Sequence, residues 1–214
     1  MAEEGERRER PPEGLTKEEL REWARRKAAE RKAAKAKAEA GAPKEEEKPQ
    51  KPAYTNPLAD RLRQVLSDVL SDISVDHPTR VSARVEPENV RHALSVLKAE
   101  LGLEQLIDVA CVDALKLPGA DPDTMWVVYH LGFYDDPTVL ALKAVISRRN
   151  PRIQSVVDIF WNANWYEREI WEMFGVHFEG HPDLRPLFLT AELAREHPWR
   201  KDYPGYPNPY NTQR

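Results

Sequence analysis

A single break in composition, near residue 53, decides how much of this chain can fold. Residues 1–53 carry 15 Lys/Arg and 13 Asp/Glu, and apart from alanine their only apolar members are Met1, Leu15, Leu20 and Trp23. So little apolar surface cannot offset the conformational entropy of ordering the segment. Any core must come from the other 161 residues, which hold 17 basic and 23 acidic side chains and nearly all the Val, Ile, Leu and aromatics. A chain of about 160 residues buries roughly 70% of the surface it exposes when unfolded. That suffices for one core.

Within the first segment, Leu15 to Ala40 consists mostly of strong helix formers, and Thr16 followed by Glu19 forms a capping box. No apolar stripe recurs at three and four residues, so the segment reads as a solvated single helix or as disordered chain. The alternative is a tail that folds on a partner or touches anionic lipid through Arg25, Arg26, Lys27, Arg31, Lys32, Lys35 and Lys37. Residues 41–53 are rich in Pro and charge and read as a linker, so the domain boundary falls near Tyr54.

From there the periods become regular. Apolar residues at 58, 62, 65, 66, 69, 70 and 73 predict an amphipathic helix over Leu58–Ile73. Arg80–Val85 alternates like a strand, and Pro87 opens a helix over Glu88–Leu101 that Gly102 stops. Gln105–Leu115, Met125–Phe133 and Val139–Ser147 read as three strands, with a hairpin turn at Asp135–Pro137. Ser155 is a candidate N-cap for a helix over Val156–Phe174. The fold class is therefore α+β, a mixed or antiparallel sheet with helices packed on it.

After Gly175 the periodicity stops. Residues 176–214 contain Pro at 182, 186, 198, 204, 207 and 209, while residues 159–214 hold 12 of the 18 aromatic side chains. Three segments follow: a charged tail and linker (1–53), a sheet domain (54–175) and an extended C-terminal arm (176–214). The arm's aromatics need a surface, on its own domain or on a partner, and their density favours a partner, with Phe188, Trp199, Tyr203 and Tyr206 as anchors.

Several classes of function drop out. No run approaches the roughly 18 apolar residues of a membrane-spanning helix. The N-terminus has no signal-peptide stretch, which predicts a cytoplasmic location. A net charge of −4 gives no general reason to bind nucleic acid. The single cysteine, Cys111, cannot make an intrachain disulfide or a four-cysteine cluster and reads as a small buried hydrophobe. His177, His181 and His197 invite a metal reading, but glycines and Pro182 deny the helix that would bring an i,i+4 pair together. Glu167, Glu169 and Glu172, interleaved with Arg168, read as ion-pair scaffolding rather than a catalytic carboxylate pair. Nucleophile elbows, P-loops and dinucleotide fingerprints do not occur. The chain alone is not expected to be catalytic.

What remains is the dense run over residues 162–187, followed by His197–Pro204. These residues resemble the C subunit of the proton-pumping NADH–quinone oxidoreductase, respiratory complex I. Glu167-Arg168-Glu169, Trp171-Glu172 and Met173-Phe174-Gly175-Val176 match its helix motif. Phe178, Gly180, His181, Pro182, Asp183, Leu184 and Arg185 match the next segment, and His197, Pro198, Arg200, Lys201, Asp202, Tyr203 and Pro204 the last. The resemblance is strong over 155–204, holds in pattern only over 58–150 and does not reach 1–53. Departures occur at Trp171, Glu172, Pro186 and Trp199.

The resemblance implies a cofactor-free subunit of the peripheral arm, on the cytoplasmic side of the cell membrane. It would dock beside the large quinone-site subunit and neighbouring iron–sulfur subunits, with FMN and iron–sulfur clusters in those partners. The equivalent subunit of a membrane-bound nickel–iron hydrogenase or ferredoxin-dependent complex is the alternative. The matched motif residues can act as subunit-interface contacts or as a turn that stabilises this subunit. In both, Arg168 supplies a bidentate fork, the glutamates accept hydrogen bonds, Gly175 leaves the helix in a left-handed conformation and Asp183 bonds back to the main chain.

Overall fold

The computed structural model describes residues 54–205 together with Trp23, Arg26 and Lys27. The chain divides into two units, Met1–Lys51 and Pro52–Arg214. In the first, Trp23, Arg26 and Lys27 are helical; the rest of the helix expected over Leu15–Ala40, and the linker, lie outside the described residues.

The second unit is built on a five-stranded mixed sheet. Helix α1, Pro57–Val65, starts where the Asn56 side chain accepts the Leu58 N–H at 2.8 Å and Pro57 needs no hydrogen bond for its nitrogen. The helix expected as far as Ile73 ends at Val65, and Leu70–His77 is strand β1. Ser67 Oγ donates to Asp68 at 3.3 Å in the intervening turn, and Ser71, Asp72, Ser74 and Val75 are all weak helix formers. The strand state also gains a neighbour, because β1 pairs antiparallel with β2, Arg80–Val85.

Helix α2, Val90–Ala99, buries Val90, Ala93, Leu94 and Leu97 and carries the chain to β3, Gln105–Asp113, at the opposite edge. Strands β4, Thr124–Gly132, and β5, Val139–Ser147, continue antiparallel, and β5 closes against β2 in parallel. The order β1-β2-β5-β4-β3 is the mixed sheet of the expected α+β class.

Register makes this sheet one-faced. Val127 pairs with Ala144, Tyr129 with Leu142 and Leu131 with Leu140, while Ala83 and Val85 extend the same rows from β2. All are buried and join one cluster with the apolar faces of the helices. The alternate residues Trp126, Val128, Ala141, Lys143 and Val145 stay half-buried.

The helix expected from Val156 begins later. The Ser155 hydroxyl accepts the Val157 N–H at 3.4 Å, but it caps a single turn that closes at Phe160. Asn162 then donates to the Leu106 carbonyl at 2.9 Å, re-aiming the chain into α3, Ala163–Phe174. Short strands β6, Arg152–Gln154, and β7, His177–Glu179, pair in parallel beyond it, and α4 spans Ala191–Ala194. Through residue 205 the expected extended arm therefore carries local structure and returns to its own domain, because its main-chain groups find partners there.

Candidate functional site

Helix α3 holds three charged residues out of water: Glu167 and Glu172 are fully buried and Arg168 is 9% exposed. Buried charges need hydrogen bonds, and most of these go to the returning chain. The Glu172 carboxylate accepts the N–H groups of Leu187, Phe188 and Leu189 at 2.9, 3.1 and 3.2 Å. Arg168 donates from Nε and Nη2 to the Arg185 and Pro186 carbonyls, both at 3.0 Å. The acid thus grips donors and the base grips acceptors of one continuous stretch, Arg185–Leu189, which we call the strap. These are charge-assisted bonds, stronger than neutral ones.

The chain beyond the strap finishes the helix. The last carbonyls of a helix lack partners within it. Here His197 Nδ1 donates to the Glu172 carbonyl at 3.2 Å, the Trp199 N–H to Met173 at 3.1 Å and Arg200 Nε to Phe174 at 2.7 Å. Gly175 makes room for them. It sits at φ 78°, and a Cβ there would stand 2.7 Å from the His197 ring and 2.9 Å from the Arg200 guanidinium. His197 itself has φ 51°. Burial holds both His197 and Arg200 below their ordinary pKa values.

A third fixing point lies at the end of β3. Asp113, buried, accepts the Lys201 N–H at 2.9 Å, the Leu115 N–H at 3.1 Å and the Arg148 fork at 2.9 and 3.1 Å. Arg148 reaches on to Asp202 at 2.5 Å. Burial alone would raise the Asp113 carboxyl; the Arg148 and backbone hydrogen bonds outweigh it and hold the group below the usual carboxylate range.

Most of the residues named from sequence meet here, in ways the sequence did not specify. Glu172, Arg168, His197 and Arg200 hold main chain, and Lys201 contributes its N–H. Phe174 meets Trp199 edge-on at 5.8 Å. Tyr203 Oη donates to Glu196 at 3.2 Å. Glu167 accepts the Val156 N–H at 2.8 Å instead of touching the strap, and burial pushes it up to about 7. Glu169 stays half-buried on another face. In the turn after Gly180 and Pro182, the Asp183 N–H donates to His181 Nδ1 at 3.0 Å and His181 Nε2 donates to the Asn164 carbonyl at 3.3 Å. The Asp183 carboxylate takes Arg185 Nε at 2.9 Å; it does not bond back to the main chain as expected.

His177, His181 and His197 are not assembled, and among the described residues no group of three His, Cys, Asp or Glu could hold a metal. Burial pushes the Cys111 thiol up to about 12, far from thiolate chemistry. Asp113 and Arg148 were missed, since nothing local marks two residues 35 positions apart as a pair.

With its main chain held inward, this region turns large aromatics outward. Trp161 is 75% exposed, Phe188 68%, and Trp165 and Trp199 51% each. Large exposed aromatics are a common mark of contact surfaces.

The molecule is an α+β sheet domain whose buried motif charges are bonded to its own main chain and whose large aromatics Trp161, Trp165, Phe188 and Trp199 stay exposed. The chain belongs to the family described as respiratory-chain NADH dehydrogenase, 30 Kd subunit, whose model matches residues 83–209. It is 40% identical over 151 residues to the C subunit of F(420)H(2) dehydrogenase from Methanosarcina mazei, covering 71% of this chain and 92% of that one. It is 32% identical over 152 residues to the C subunit of NADH-quinone oxidoreductase from Trichlorobacter lovleyi, covering 71% and 91%. Among solved structures it is similar to the trypsin-resistant fragment of Nqo5, with TM-score 0.52 and 27% identity over 59% of this chain and 98% of that one. It is also similar to a chain of the membrane-bound sulfane sulfur reductase, an archaeal respiratory membrane complex, with TM-score 0.59 and 25% identity over 67% and 84%.

Proposed function

We propose that this chain is a cofactor-free structural subunit in the peripheral arm of a membrane-bound NADH–quinone oxidoreductase, one that couples electron transfer to proton translocation. It docks beside the large quinone-site subunit and neighbouring iron–sulfur subunits, on the cytoplasmic side. Electron transfer runs through FMN and iron–sulfur clusters held by those partners. Among the described residues no helix is long and apolar enough to cross a membrane, so attachment runs through the partners. The observation that carries this reading is the clamped strap: its charged motif is used on main chain, while Phe188 of the strap, Trp199, and Trp161 and Trp165 of the α3 region stay exposed.

The reading is tested by tagging the chain in its native host, solubilising membranes gently and identifying what co-purifies. A quinone-site subunit together with an NADH-oxidising flavin subunit is the expected result; recovery of the chain alone would overturn it. A second reading keeps the same structural role in a complex fed by another donor. It is favoured by the 40% identity to the F(420)H(2) dehydrogenase subunit and by the likeness to the sulfane sulfur reductase chain. An F(420)H(2)-oxidising subunit in place of the NADH-oxidising one, or a large subunit with four nickel-ligating cysteines, would select it.

A further inference from the structure

The face of the sheet turned away from the helices carries Arg84 and Lys143 directly opposite each other on β2 and β5. Like charges at paired strand positions repel. No ion pair among the described residues offsets this repulsion, since none includes either side chain. Lys143 Nζ lies 4.5 Å over the Trp126 ring, which orders the cation without neutralising it. Arg84 Nε is buried with no hydrogen-bond partner. A buried guanidinium N–H lacking an acceptor is costly, and such groups are rare in folded proteins.

A groove of about 300 Å³ opens at these two cations, lined also by Ser74, Ser82, Val128 and Asp72. Asp72 makes no ion pair with either cation, and Asp76, nearby on β1, takes the Ser82 hydroxyl at 2.7 Å. The surrounding domain is acidic, with 23 acidic against 17 basic residues beyond position 53, so this pair is a local reversal of charge.

We infer that this open sheet face docks an acidic segment of a neighbouring subunit, with a carboxylate seated between Arg84 and Lys143. The inference rests on reading the chain as a subunit of a larger complex. Charge complementarity selects the occupant: the carboxylate cancels the Arg84–Lys143 repulsion. The serines and Val128 suit an extended segment lying along the groove.

Carbodiimide treatment of the intact complex tests this directly, because it joins a lysine to a carboxylate only in direct contact. Mass spectrometry should find Lys143 joined to an Asp or Glu of another subunit. A complex that retains the wild-type chain with no cross-link at Lys143, or with one to a carboxylate of this same chain, overturns the inference while leaving the proposed function intact. A wild-type chain found in no complex overturns both. As a second measurement, full-length R84Q/K143Q should keep a wild-type circular dichroism spectrum and melt close to wild type. It should leave the complex at several-fold lower salt. Release at the wild-type salt concentration overturns the inference.

Discussion

Replacing one oxygen of the Glu172 carboxylate by an amide turns an acceptor into a donor in front of three main-chain N–H groups. Leu187, Phe188 and Leu189 would then share the remaining oxygen. Leaving a buried donor without its acceptor costs about 1–3 kcal/mol, so E172Q should lower the melting temperature and open residues 185–200 to protease. Glu167, five residues earlier, makes the opposite kind of demand. Its Oε2 is buried without a partner, as is the Tyr129 hydroxyl, and burial raises its carboxyl from 4.5 to about 7. Between those values the folded chain holds more protons than the unfolded one. The group's favourable contribution is therefore complete below about 4.5 and is lost as pH rises through about 7. E167Q keeps an acceptor for the Val156 N–H and cannot ionise. Denaturant titration should show the variant gaining on wild type between pH 5 and pH 8, by at most about 3 kcal/mol. An identical pH profile for the two would show that Glu167 does not titrate in this window.

At the scale of elements, strands β2 to β5 were legible because a half-buried sheet imposes a period of two, and their residues keep it. Strand β1 was not, because Leu66, Val69, Leu70 and Ile73 prolong the period of α1 by coincidence, and only pairing with β2 decides the matter. The strap was legible as a dense motif and illegible as a clamp. Its contacts use N–H and C=O groups, which every residue carries alike, so no side-chain pattern on the strap could announce them. On α3 a signal did exist, since Glu167, Arg168 and Glu172 interrupt an otherwise apolar surface. The sequence reading made the arm rest on a partner, yet its main chain is held by its own domain while Phe188 and Trp199 stay exposed; Tyr206 lies outside the described residues. Two outcomes follow for the α3–strap joint. Gly175→Ala forces a side chain into φ 78° and against the His197 ring, and should cost at least about 1 kcal/mol in a thermal melt. Truncation after Gly175 should lower the melting temperature by several degrees, since the last α3 carbonyls lose His197, Trp199 and Arg200.

For the molecule as a whole, stability and assembly should separate under mutation. Deleting residues 1–50 should leave the melting of the remaining chain unchanged, because a segment without an apolar stripe contributes nothing to a core; a fall of several degrees would show that it packs. Alanine at Trp165 and Phe188 together should likewise leave the melting temperature close to wild type. Co-purification with the proposed large quinone-site partner should drop sharply, as exposed aromatics at interface centres commonly carry about 2 kcal/mol or more each.

A grip made of main-chain hydrogen bonds is blind to what it holds. Glu172 reads three N–H groups at positions 187–189, and any residue but proline supplies one. The strap's outward side chains are thus released from the duty of folding their own subunit. Whatever a neighbouring chain requires at Phe188 can change step by step while the clamp beneath stays the same. A single domain of this design can be refitted to complexes with different electron donors without being rebuilt.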